Sequence, residues 1–127
     1  MEGRDLTNSQ KLIMRCVWDY AGGTDISYSE LLKVLREDFG HDYKLVTLVT
    51  FLRQMSEKGY LVTYRRGKSA YVKPLVEKSA YVAEVAEEVL DFWYGGEPVS
   101  LLKSLDSKGR LNPEEVAHIR EYLDSKG

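Results

Sequence analysis

Hydrophobic positions in the middle of the chain recur with the period of a helix and then switch to the period of a strand. Between residues 44 and 58, Leu45, Leu48, Leu52 and Met55 lie three and four residues apart, on one stripe of a helix. Gly59 supplies the stop. Tyr60-Leu61-Val62-Thr63-Tyr64 then reads as a strand, Arg65-Arg66-Gly67-Lys68 as a turn and Ala70-Tyr71-Val72 as the returning strand. Two capped helices are predicted before this unit. Thr7-Asn8-Ser9-Gln10 has the capping-box form and opens a helix from about Asn8 to Tyr20, with Leu12, Ile13, Cys16, Val17 and Tyr20 as its apolar members and Ala21-Gly22-Gly23 as its end. Ser27-Tyr28-Ser29-Glu30 is a second capping box; the helix behind it turns Tyr28, Leu31, Leu32, Leu35 and Phe39 to one side and stops at Gly40. Pro74 closes this half, since proline cannot continue a central strand.

Beyond Pro74 the pattern is helical throughout. Ser79 to Tyr94 carries Val82, Val85, Val89, Phe92 and Trp93 at helical spacing, and Gly95-Gly96 breaks it. Pro98 suits the first turn of a short helix with Leu101, Leu102 and Leu105. Asn112-Pro113-Glu114-Glu115 opens a last helix: an N-cap, a first-position proline and acids in the first turn. Its apolar face is Val116, Ile119, Tyr122 and Leu123. The predicted fold is mostly α with a small β-hairpin: a three-helix-plus-wing domain over 1–74 and a helical domain over 75–127.

Composition supports an ordinary folded chain, with 43% hydrophobic and 30% charged residues. No apolar run reaches the length of a membrane span, and the first residues lack the apolar core of a signal peptide. A cytoplasmic protein without membrane contact is expected. Cys16, the single cysteine, sits in an apolar helical stretch and reads as a small core residue; no cofactor or metal is expected.

Charge changes the picture once it is divided. The net charge of −2 hides 12 basic and 9 acidic residues in 1–74 against 6 and 11 in 75–127. Residues 41–74 alone hold 7 basic and 2 acidic side chains. Charges beyond about 10 Å are screened, so attraction to phosphate follows this local excess. On the 44–58 helix the pole opposite Leu45 holds Tyr43, Thr47, Thr50 and Gln54, flanked by Val46 and Arg53 on one side and Lys44 on the other. Short polar side chains near a helix start permit close approach to base edges in the major groove. Thr47, Thr50 and Gln54 are therefore expected to face bases, and Lys44, Arg53, Arg65, Arg66 and Lys68 to hold phosphates. Three helices followed by a hairpin is the winged helix-turn-helix layout.

Four segments resemble the bacterial penicillinase-repressor type of winged-helix transcriptional regulators. They are Leu6-Thr7 with Ile13-Met14 and Val17-Trp18; Val46 to Leu52 followed by Met55 and Lys58-Gly59-Tyr60-Leu61; Arg66-Gly67-Lys68 with Tyr71 and Pro74; and Leu111-Asn112-Pro113-Glu114-Glu115. The resemblance implies a homodimeric repressor that reads a double-stranded DNA operator, with Thr47 and Thr50 matching the family's recognition-helix threonines. It also implies that C-terminal helices join two copies. One branch of that family is released by cleavage at an Asn-Phe bond, where this chain reads Ser104-Leu105, and another by a C-terminal cysteine cluster, which this chain lacks. Neither mode of release is expected here.

The residues themselves agree about the second half. Three short amphipathic helices bury too little apolar surface alone. Val82, Val85, Val89, Phe92, Trp93, Leu101, Leu105, Ile119 and Leu123 are expected at a dimer contact. Catalysis is not expected: His41 and His118 stand far apart, and Glu87-Glu88 and Glu114-Glu115 are adjacent pairs whose side chains diverge. Two other readings fit the same residues. One is a winged-helix module that binds protein without touching DNA. The other is a ligand-sensing regulator with a pocket lined by Tyr81, Phe92, Trp93 and Tyr94.

Overall fold

The computed structural model describes residues 5–20 and 24–127. The Ala21-Gly22-Gly23 helix end lies outside the described residues. Three of the helices begin at a side-chain cap that the sequence signals. In α1 (Asn8–Tyr20) the box is reciprocal: the Gln10 N–H donates to Thr7 Oγ1 at 3.2 Å, and the Thr7 N–H donates to Gln10 Oε1 at 3.1 Å. In α2 (Tyr28–Phe39) the Ser27 hydroxyl accepts from the Glu30 N–H at 3.1 Å, and Gly40 ends the helix with φ of 71°, a left-handed geometry that favours glycine. The third helix, α3, runs Leu45–Glu57.

Strands β2 (Leu61–Arg66) and β3 (Ser69–Pro74) form the hairpin, with Arg66 opposite Ser69. The turn is therefore Gly67-Lys68, with Gly67 at φ of 64°. The expected four-residue tip is two residues shorter, and Arg65 and Arg66 lie on the strand. A short β1 (Ile26–Ser27), absent from the sequence expectation, pairs with β3 and makes it the centre of a sheet ordered β1-β3-β2. Two residues are too few to show an alternating pattern. Ile26 pairs with Val72, and Ser27 serves both the strand and the cap of α2.

The core lies where α1, α2, α3 and the sheet meet. Ile13, Met14, Leu31, Leu35, Leu48, Met55, Leu61 and Val72 are fully buried. Cys16 is buried among them, and burial pushes its thiol up to about 11, so it stays protonated and inert at neutral pH. Leu52, 1% exposed, belongs to this cluster. Leu52→Ala is expected to lower unfolding free energy by about 2–5 kcal/mol in a urea titration, the usual range for a buried leucine.

The chain divides into two compact units, one ending at Tyr81 and one spanning Val82–Gly127. The composition changes earlier, after Pro74. The first turn of α4 (Lys78–Tyr94) stays with the first unit because α1 holds it. Trp18 Nε1 donates to the Val76 carbonyl at 2.9 Å, Lys78 pairs with Asp19 at 2.7 Å, and the Tyr81 ring packs on Trp18 and Tyr60. The second unit continues through α5 (Pro98–Ser107) and α6 (Pro113–Ser125); in α6 the Asn112 side chain accepts from the Glu115 N–H at 2.8 Å. No residue of α4, α5 or α6 is fully buried. Among the described residues no helix is long and apolar enough to cross a membrane.

Candidate nucleic-acid interface

The outward face of α3 follows from what the core takes. Leu48, Leu52 and Met55 point inward, whereas Leu45, the first residue of the expected stripe, is 54% exposed. Helical spacing gives its angle, but its place in the first turn puts it past the edge of the core, beside the wing. The apolar stripe is thus narrower than the spacing implied, and the exposed face centres on Val46 and Arg53, with Leu45 at one edge and Gln54 at the other. Val46 is 71% exposed, and Lys44 and Arg53 are open to solvent. Thr47 and Thr50 are half-buried. The Thr50 hydroxyl donates to the Val46 carbonyl at 3.1 Å, so toward a ligand it offers a methyl group and an acceptor oxygen.

Two expected contact residues are engaged inside the domain. Tyr43 is half-buried, with its hydroxyl donating to Ser9 Oγ at 3.3 Å and its ring edge against Phe51. It anchors the loop before α3 to α1. Gln54 is exposed, but its oxygen accepts from Gln10 Nε2 at 3.0 Å.

The wing presents its cations on both sides of the sheet, as neighbouring strand positions must. Arg65 and Lys68 line a groove of about 290 Å3 with Leu45 and Val49 of α3 and with Ser27 and Ser29 at the start of α2. Arg66 lies on the other face, its guanidinium 5.9 Å from the centre of the Tyr71 ring, which stacks on Tyr64. The Tyr64 hydroxyl donates to Asp25 Oδ2 at 2.5 Å, which holds the wing to the segment before β1 and raises the tyrosine pKa. The phenol is held protonated, so this support is present at neutral pH and is lost only as pH climbs past the ordinary tyrosine range. Sequence reasoning missed Leu45 and Val49 as groove residues; an apolar residue on a stripe carries no sign that it faces a gap. It also missed Gln10, which reads as a cap and nothing more.

An exposed helix face flanked by a basic hairpin, on a three-helix scaffold, is a winged-helix DNA reader. The penicillinase repressor family profile matches residues 6–125, nearly the whole chain. The chain belongs to the penicillinase repressor family. Like other penicillinase repressors it is a DNA-binding transcriptional regulator. The solution structure of the DNA-binding domain of the repressor BlaI is similar to it in fold, with a TM-score of 0.51 and 20% identity over 63% of this chain and 92% of that one. No curated protein matches this repressor-family chain in sequence. The Tyr81 ring packs on Trp18 and Tyr60, and Phe92 and Trp93 are 77% and 73% exposed.

Proposed function

We propose that the chain represses transcription as a homodimer on a palindromic operator, in a bacterial cytoplasm. In this reading α3 of each copy enters the major groove and each wing holds the flanking backbone. The repressor acts by covering the promoter. The observation that carries this is the pairing of the exposed Lys44, Val46 and Arg53 face, with half-buried Thr50 beside it, and the Arg65–Lys68 wing inside one folded unit. Thr47 and Thr50 are assigned to bases, and Lys44, Arg53, Arg65, Arg66 and Lys68 to phosphates.

Dimerisation is supported by the second unit. Val82, Val85, Val89, Phe92, Trp93, Leu105 and Leu123 are all more than a third exposed, and Leu101 and Ile119 are only half-buried. So many apolar side chains on three short helices are covered at least cost by a second copy, in a two-fold arrangement. Such a pair sets two α3 helices about 34 Å apart, one turn of DNA.

The test is a gel shift on genomic fragments at 50 and 200 mM salt. Phosphate contacts require affinity to fall steeply between the two. Retention of no fragment at either salt would favour a module that binds protein. On a bound fragment, Thr50→Ala is expected to relax sequence preference by about 1–3 kcal/mol at one base pair, read by competition with point-substituted duplexes, while leaving the salt slope unchanged.

A further inference from the structure

Gln10 is the buried polar side chain of the first unit, 1% exposed among the described residues. Its Oε1 accepts from the Thr7 backbone N–H at 3.1 Å and from the Lys58 ammonium at 2.7 Å. Its Nε2 donates to Gln54 Oε1 at 3.0 Å. Lys58 Nζ also donates to the Asp5 carbonyl at 2.6 Å. The two ends of an amide have nearly the same shape, so partner chemistry decides which way each amide faces. An ammonium and a backbone N–H only donate. They oblige Gln10 to meet them with its oxygen, because the reverse orientation sets an amide NH2 against two donors, one of them charged. The Gln10 nitrogen is then the end that faces Gln54, and Gln54 must answer with its oxygen. Gln54 is exposed, and its own amide nitrogen has no partner among the described residues.

We infer that this relay fixes Gln54 as a hydrogen-bond donor toward DNA, with Gln10 as its positioning residue. The inference rests on the reading that α3 enters the groove. Gln54 lies on the flank of α3 that faces α1, one turn beyond Thr50, whereas Leu45 and Val49 face the wing on the opposite flank. The donor therefore meets the wall of the groove away from the wing. A glutamine free to use both ends reads adenine by donating to N7 and accepting from N6. The Gln54 oxygen is drawn inward to Gln10, so the end left for a ligand is the NH2, and that ligand is an acceptor: a phosphate oxygen or an acceptor atom on a base edge. The buried polar cluster thus sets the hydrogen-bonding sign of an exposed side chain on the reading helix.

The experiment uses the full chain and a duplex recovered by selection from random-sequence oligonucleotides. Gln10→Glu keeps the two acceptor contacts to Lys58 and Thr7 but has no proton to give. Gln54 must then reverse, turning its N–H inward and its oxygen toward the DNA. Affinity is expected to fall about tenfold, with the thermal unfolding midpoint unchanged or raised. Gln54→Met removes the donor and is expected to lose about tenfold as well. The double variant should bind no more weakly than Gln54→Met alone, because Gln10 acts only through Gln54. Additive losses would show a general structural effect and overturn the inference. Should Gln10→Glu fail to fold, Gln54→Met decides alone, and wild-type affinity in that variant overturns the inference. Loss that is equal across point-substituted duplexes identifies a phosphate acceptor, and loss confined to one base pair identifies a base edge; both support a donor. The paired variant Arg65→Ala/Lys68→Ala separates two kinds of failure. If it weakens binding while the glutamine variants do not, this inference alone falls. If the wild type shows no salt-dependent duplex binding, the groove reading falls and the inference with it.

Discussion

Replacing Arg65, Arg66 and Lys68 together by alanine is expected to weaken duplex binding about a hundred- to a thousandfold at 0.1 M salt and to lower the slope of log affinity against log salt by about 2.7 for each copy on the duplex. Each phosphate neutralised releases condensed counterions and contributes about 0.9 to that slope. The three side chains are exposed and lie at the end of β2 and in the turn after it, so the core loses nothing and the unfolding midpoint should hold. The shares should be unequal. Arg65 and Lys68 line the groove beside α3, whereas Arg66 lies against Tyr71 on the far face. Single substitutions are expected to rank Arg65 and Lys68 above Arg66. Titrations of each variant at four salt concentrations check both numbers; a wing variant with the wild-type slope would mean that the hairpin never reaches the backbone.

Phe92→Glu combined with Trp93→Glu is expected to convert a dimer into single chains. The two rings pack edge to face at 4.7 Å and are otherwise open, so little inside one chain depends on them. Buried aromatic residues at the centre of an interface commonly contribute at least about 2 kcal/mol each. The pair therefore accounts for about a thousandfold in the dimer dissociation constant. Sedimentation equilibrium at micromolar protein should report two chains for the wild type and one for the variant. Operator affinity should fall by about two orders of magnitude or more, since the second half-site is no longer tethered to the first. An unchanged sedimenting mass would remove Phe92 and Trp93 from the contact.

How much of this was legible in the sequence depends on the range of the physics involved. Helix starts were legible because capping is local: Thr7 with Gln10, Ser27 with Glu30 and Asn112 with Glu115 each act over three residues. The β1 strand was not, because Ile26 and Ser27 pair with β3 across more than forty residues and show no alternation of their own. The wing turn was overextended because Arg65 and Arg66 are polar; the positive φ at Gly67 needs only two residues to reverse the chain. Leu45 and Gln54 mark the limit for the site. Helical period gives each an angle, but the wing beside Leu45 and the Gln10 amide beside Gln54 come from other elements. Tyr43 illustrates the same point, since its packing on Phe51 and Ser9 follows from the path of the loop before α3.

The central claim, that α3 and the wing of two joined copies read one duplex, is met most directly by selection of bound sequences from a pool of random duplexes. The mass of the selected complex is then measured. The account predicts an inverted repeat whose half-sites lie about one helical turn or a multiple of it apart, with two chains on each duplex. A pool that shows no enrichment after repeated rounds, or a single unrepeated site carrying one chain, would contradict it.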